Sequence, residues 1–223
     1  MSTENTYSWL ASYPPDVDWE APLVRGPVHA LLDNTVAAYG DRPGVDFMGK
    51  KWTWGEVGAA VDALAAGLQA RGLQKGARVG LFLPNSFEYL VSYYAVLKAG
   101  GIVVNFNPLY APRELEFQVR DSGISTMITF DLAALFDKVK PLLGQAQLET
   151  VIVCRFADSL PFPKSLLFPL LKKKDQARAG RHRSGQRHRR ASIYGRYHRH
   201  AQGRNVDSRQ CQRQRAPERA VVR

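Results

Sequence analysis

The sequence predicts an α/β fold, a mostly parallel sheet with helices on both faces, followed by a disordered Arg-rich tail. Three observations carry that expectation. Short apolar runs at Arg78–Leu83, Ile102–Phe106, Thr126–Phe130 and Val151–Cys154 alternate with longer segments of helical period. The gaps between these runs are long enough to hold the crossover helices that parallel pairing needs. Finally, composition breaks abruptly near Lys174. Residues 1–174 carry 17 Lys+Arg and 17 Asp+Glu, whereas residues 175–223 carry 14 Arg, no Lys and three acids, so the whole net charge of +11 lies in the tail. The first part holds 23 Leu and the tail none, which leaves the tail too little apolar mass to order itself.

The elements follow in order. Residues 1–26 read as an irregular, Pro-rich arm. Pro27 can open a helix running to Tyr39, with Gly40 as its stop and Val28, Leu31, Leu32 and Val36 on one face. Val45–Phe47 and Lys51–Thr53 flank Met48-Gly49-Lys50 as a short hairpin. Thr53-Trp54-Gly55-Glu56 is a capping box, because the hydroxyl and the carboxylate can each satisfy an orphan amide at a helix start. Val57, Val61, Leu64 and Leu68 make that helix's inner stripe, and Gly72 ends it.

Arg78–Leu83 reads as a strand buried on both faces. Ser86 is then the N-cap of a helix with Phe87, Leu90, Val91, Tyr94 and Leu97 inward, stopped by Gly100-Gly101. Ile102–Phe106 is expected to be a second buried strand. Pro112 opens a helix whose Leu115 and Val119 face the core until Gly123. Thr126–Phe130 is a third strand, and Asp131 is expected to cap a helix holding Leu132, Leu135, Val139 and Leu142. Val151–Cys154 is a fourth. Open parallel sheets bind ligands at the carboxyl ends of strands, and the loop Asn107-Pro108-Leu109-Tyr110 sits at one.

Residues able to carry catalysis are sparse. Gly44–Lys51 nearly matches the phosphate loop G-x-x-x-x-G-K-[ST]. Lys51 stands where the hydroxyl that binds magnesium is needed, and a hairpin stands where a strand must feed a helix, so it reads as a turn. No dinucleotide fingerprint or nucleophile elbow is present. His29 is the one histidine before the tail and reads as structural. Glu114 and Glu116, two apart on a helix, point to different faces and read as solvated charges. The tail histidines lack zinc-site spacing. Cys154 and Cys211 form no disulfide framework and fit a reducing cytoplasm. Leu160–Leu171 followed by Lys172-Lys173-Lys174 suits the surface of a membrane, or packing on further protein. The tail itself reads either as an out-of-frame stretch of a GC-rich gene, or as a natural basic segment that binds nucleic acid through phosphate charge.

The middle of the chain resembles the acyl-CoA synthetase branch of the adenylate-forming enzymes. The residues that carry the likeness are Trp52-Thr53-Trp54-Gly55-Glu56-Val57, Gly76 through Ser86 (GARVGLFLPNS), Tyr94 through Gly101 (YAVLKAGG) and Val104 through Tyr110 (VNFNPLY), with Glu114 following. Trp9 through Val17 and Leu160–Lys174 resemble bacterial long-chain fatty-acyl-CoA ligases. The resemblance implies that 27–174 is part of the first subdomain of such an enzyme, behind the arm 1–26 and ahead of the tail 175–223. Full-length members use ATP and magnesium to turn a fatty acid into an acyl-adenylate, then pass the acyl group to CoA. The phosphate-gripping S-G-T-T-G-x-P-K-G string does not occur in these 223 residues. The expectation is therefore a fragment that is inactive alone and binds no cofactor, cytoplasmic or peripheral to the inner face of the membrane. No catalytic residue is carried over; Asn107, Leu109 and Tyr110 are expected to line the edge of the CoA or acyl route.

Overall fold

The computed structural model describes residues 7–22, 25–145, 147–171 and 193–194. The first helix, α1, spans His29–Tyr39, and the hairpin strands β1 and β2 span Pro43–Phe47 and Lys50–Thr53. Then come α2 (Trp54–Ala70), β3 (Arg78–Phe82), α3 (Phe87–Lys98), β4 (Ile102–Asn105), α4 (Pro112–Ser122), β5 (Thr126–Phe130), α5 (Ala133–Val139), β6 (Thr150–Cys154) and α6 (Lys164–Leu171). A two-residue strand, β7, is formed by Ile193–Tyr194. The hairpin is antiparallel, and the main sheet is parallel in the order β4-β3-β5-β6-β7. Apart from β7, the expected disorder of 175–223 lies outside the described residues.

The chain leaves β3 toward β4, then returns past β3 to β5 and β6. Crossovers of the usual right hand, running in opposite directions, would place α3 on one face and α4 and α5 on the other. α3 packs with α1 and α2, and α4 packs with α5, so the expected layering is present. Val79, Leu81, Phe82, Met127, Ile128 and Phe130 are fully buried between the layers. Gly80 is required there by close approach. A Cβ at this position would lie 2.7 Å from Ile124 Cδ1 and 2.8 Å from Phe106 Cε2.

Local signals are met closely at several ends. Thr53 Oγ1 accepts the Glu56 amide at 3.2 Å and Glu56 Oε2 accepts the Thr53 amide at 2.8 Å, so the capping box is complete. Ser86 Oγ accepts the Tyr89 amide at 3.2 Å at the start of α3. The hairpin turns at Met48 and Gly49, both left-handed with φ of 54° and 89°, as a two-residue turn between twisted strands requires. Residues 7–22 contain one short 3-10 turn, Ser8–Ser12, where Trp19 packs edge-on against Tyr13 and Trp9 stacks on Tyr7.

Four expectations are corrected. Among the described residues β4 is an edge strand paired with β3 alone, and Ile102 is 48% exposed, so the strand is not buried on both faces. The inner stripe of α3 is rotated. Phe87, Val91, Ser92, Ala95 and Val96 are buried, while Leu90, Tyr94 and Leu97 are half-buried, because small Ala95 and Ser92 let the helix approach the sheet and α2. On α1, Leu32 is buried and Leu31 is 64% exposed, since α1 meets its neighbours along a narrow strip. Asp131 does not cap α5. Its Oδ1 accepts the amide of Phe156 at 2.8 Å, and Leu132 occupies the cap position without a side-chain bond.

Candidate functional site

The carboxyl ends of the parallel strands converge on one rim of the sheet. In an open α/β sheet the ligand crevice opens where successive crossovers diverge, which here is between β3 and β5. That position is covered by the chain itself. The segment after β6 makes a 3-10 turn, Phe156–Ser159, whose Ala157 and Ser159 are buried. Its Phe156 ring packs edge-on against Phe130 at the end of β5, with centroids 5.3 Å apart. Its Ser159 Oγ lies 2.6 Å from Glu88 Oε1 in the first turn of α3. Lys50 Nζ, on the hairpin, donates to the Asp158 carbonyl at 2.6 Å. Three distant parts of the sequence thus hold this strap down.

Burial dominates the titration of the groups beneath it. It pushes the Glu88 carboxyl above its usual range, and the Ser159 bond offsets this only in part. It likewise raises Asp131, against the lowering effect of the Phe156 amide. Removal from water, with the Glu88, Asp131 and Asp158 carboxylates nearby, pushes the Cys154 thiol far up, so the thiolate needed for nucleophilic chemistry is suppressed.

The loop after β4 lies on the same rim but stands open. Asn107 Oδ1 accepts the amide of Leu109 at 3.0 Å, and the Asn107 carbonyl accepts the amide of Tyr110 at 3.0 Å, which closes a tight Asx-supported turn. Lys138 Nζ, on α5, donates to the Tyr110 carbonyl at 2.8 Å and to the Pro108 carbonyl at 3.4 Å. Glu114 Oε2 accepts the Ala111 amide at 2.8 Å and fixes the exit into α4; this carboxylate is a cap where the sequence reads a solvated charge. At the entry, Phe106 is buried and its amide donates to the Leu81 carbonyl at 3.0 Å. Gln118 Nε2 covers the Asn105 carbonyl at 3.1 Å, and the Tyr89 hydroxyl lies 3.2 Å from Asn105 Oδ1.

The three residues singled out from sequence are therefore together on one turn, in different roles. Leu109 is 86% exposed, Tyr110 is half-buried against the core, and the Asn107 amide oxygen is engaged in holding the turn. Such a turn can present an apolar side chain and backbone groups to a ligand; it carries no nucleophile or general base. Sequence reasoning missed Lys138, which lies 28 residues from Tyr110 with no local pattern to mark it. It also missed Glu88 with Ser159, 71 residues apart. The Ser86 cap at least signalled that Glu88 enters the first turn of a helix.

Gly44–Lys51 does not have the geometry of a phosphate loop. Gly44–Lys51 is the β1–β2 hairpin, where Lys51 lies exposed 4.0 Å from Asp46, and no helix N-terminus follows the glycine turn. Among the described residues no three His, Cys, Asp or Glu side chains gather closely enough to hold a metal ion, and no helix is long and apolar enough to cross a membrane. His29 Nδ1 lies 3.2 Å from Asp33 Oδ2 within α1, in keeping with a structural role.

Comparison with known proteins supplies the family. The chain is 43% identical over 165 residues to a long-chain-fatty-acid–CoA ligase of Bacillus subtilis, covering 74% of this chain and 29% of that protein. It is 40% identical over 162 residues to a ligase of the same name from Yersinia pestis, covering 71% and 28%. The chain thus spans less than a third of the curated relatives it matches. Its fold is similar to that of a long-chain-fatty-acid-CoA ligase from Archaeoglobus fulgidus, with a TM-score of 0.53 and 25% identity over 59% of this chain and 28% of that one. An anthranilate CoA ligase shares the fold at a TM-score of 0.55 and 22% identity, covering 65% and 27%. The sequence profile described as AMP-binding enzyme matches residues 32–206, running past Lys174 and across most of the chain. The chain belongs to the AMP-binding enzyme family.

Proposed function

We propose that this chain is the first-subdomain portion of a long-chain fatty-acid–CoA ligase, a scaffold that serves acyl activation and does not perform it alone. The observation that carries this reading is the 43% identity over 165 residues to the Bacillus subtilis ligase. In a complete enzyme of this kind ATP and magnesium convert the fatty acid to an acyl-adenylate, and CoA then takes the acyl group. This chain contributes the sheet and its rim. The Asn107–Tyr110 turn would border the acyl or CoA route, with Leu109 offering apolar contact and Lys138 keeping the turn rigid. Among the described residues the candidate phosphate loop, Gly44–Lys51, is a hairpin turn, which supports a scaffold role. The test is pyrophosphate release by the purified chain with ATP, magnesium, CoA and a long-chain fatty acid. No turnover above a heat-inactivated control is expected; sustained turnover overturns the reading.

Two surfaces extend it. Phe162, 82% exposed, and Leu166, 63% exposed, precede Lys172-Lys173-Lys174 in the sequence, a combination that suits peripheral contact with an anionic bilayer. Flotation with phosphatidylglycerol vesicles, lost in Phe162→Ser/Leu166→Ser, tests this; flotation unchanged by the double variant rejects it. Residues 175–223 hold the entire net charge of +11 with no Leu, as an out-of-frame stretch would, and sequencing the gene across codons 170–180 tests that origin. The same charge favours a second reading, nucleic-acid binding by the tail. Salt-sensitive RNA binding that vanishes on removal of 175–223 supports it, and absence of binding at low salt rejects it.

A further inference from the structure

The strap over the β3–β5 crevice is held by a part-buried contact whose chemistry is unbalanced. A carboxylate in the first turn of a helix is ordinarily favoured by the helix dipole and by water. Glu88 has little access to water. Its Oε1 accepts the Ser159 hydroxyl at 2.6 Å, and its Oε2 is buried with no hydrogen-bond partner among the described residues. An ionised carboxylate there accepts the Ser159 hydroxyl but spreads its charge onto a second oxygen held away from water, whereas a protonated one keeps a bond to Ser159 and leaves only a neutral oxygen.

The neighbouring charges relieve this only in part. The cation facing Glu88 is Lys50, whose Nζ is committed to the Asp158 carbonyl at 2.6 Å and lies 4.9 Å from the Trp52 ring centre. From the strap, Asp158 adds negative charge and is paired with Arg155 at 3.8 Å. Cys154 faces the same cluster from β6, and Asp131 joins it from the end of β5.

We infer that Glu88 and Ser159 form a protonation-dependent latch, closed over the carboxyl-end crevice when Glu88 is neutral and loosened when it ionises. Burial raises the Glu88 carboxyl in the folded chain, which agrees in sign. A group so raised contributes fully below its ordinary range, and the contribution is lost as pH rises through the folded-state value. The strap continues into Pro161 and α6, so release at Ser159 frees the lead into the exposed Phe162 and Leu166.

Amide hydrogen exchange of the full chain between pH 5 and pH 8, corrected for intrinsic rates, tests this in peptides covering 155–163 against a β5 reference. Protection of the strap should fall several-fold with rising pH in the wild type and stay high at every pH in Glu88→Gln, whose neutral amide keeps a partner for Ser159. Ser159→Ala should expose the strap at all pH values. A wild-type profile that is flat, or one that Glu88→Gln reproduces, overturns the latch. Carbon-13 titration of the Glu88 carboxyl in the unaltered chain gives a reading that depends on no variant. A midpoint above the ordinary glutamate range supports the latch, and one at or below it overturns it.

Discussion

Lys138 Nζ on α5 donates to the carbonyl of Tyr110 at 2.8 Å, bridging the rim loop to a helix on the next crossover. The loop's shape therefore depends on a residue outside it. Lys138→Met keeps the aliphatic stem and removes the donor. It should lower stability by only about 1 kcal/mol while raising amide exchange of Leu109 and Tyr110 severalfold. Exchange unchanged in the loop would place its rigidity in Asn107 alone.

Gly80 sets the depth of the β3 core. Gly80→Val would drive branched carbons into Ile124 and Phe106, with contacts already at 2.7 and 2.8 Å for a single Cβ. A loss of about 1–3 kcal/mol is expected in urea unfolding, and Gly80→Ala should fall in the lower part of that range.

Met48 holds a left-handed backbone at φ 54°, costly for a side chain of its kind. Met48→Asn, or Met48→Gly, should stabilise the hairpin by roughly 1 kcal/mol, because both residues enter this region more readily. Its side chain is exposed, so no packing is lost. A thermal melt reads the difference.

Lys98 joins three helices, with Nζ 2.7 Å from Asp33 Oδ1 on α1 and 2.6 Å from Asp62 Oδ1 on α2. Partial burial alone would raise the Asp33 carboxyl, but the bonds from Lys98 and His29 hold it below its usual value. The Asp33 contribution is thus present above the ordinary carboxylate range and lost as pH falls through the folded value. Burial alone would lower Lys98, but its two carboxylate partners hold it above the usual lysine range, so that contribution persists until pH rises through the elevated value. Asp33→Asn should flatten the acid limb of a stability–pH profile while leaving the neutral plateau lower by a modest amount, since these groups are partly exposed.

Much of the fold was legible because local chemistry and burial agree. The capping box at Thr53 and Glu56, the turn at Met48-Gly49, the stop at Gly123 and the α2 stripe each announce themselves within a few residues. What escaped is decided by partners distant in sequence. Ile102–Phe106 has the same apolar character as Arg78–Leu83, and only sheet order makes one an edge and the other central. Asp131 sits correctly for a cap, yet the Phe156 amide, 25 residues on, claims it. The rim turn was legible as a loop at a strand end, because Pro and Asn mark it. Its pin at Lys138 and the strap that shuts the neighbouring crevice were not, because the partners of Lys138 and Ser159 lie 28 and 71 residues away.

The two margins of the sheet differ in how they meet a stray strand. On the β4 side the outward Asn105 carbonyl is stoppered by Gln118, which interrupts the row of free backbone groups a recruit would need. On the β6 side the described residues supply β7, which spans only Ile152 and Val153 of a five-residue strand. Among the described residues, main-chain pairing on the outer side of β6 leaves Thr150 and Val151 without a strand partner, so templated self-association by that route would begin there.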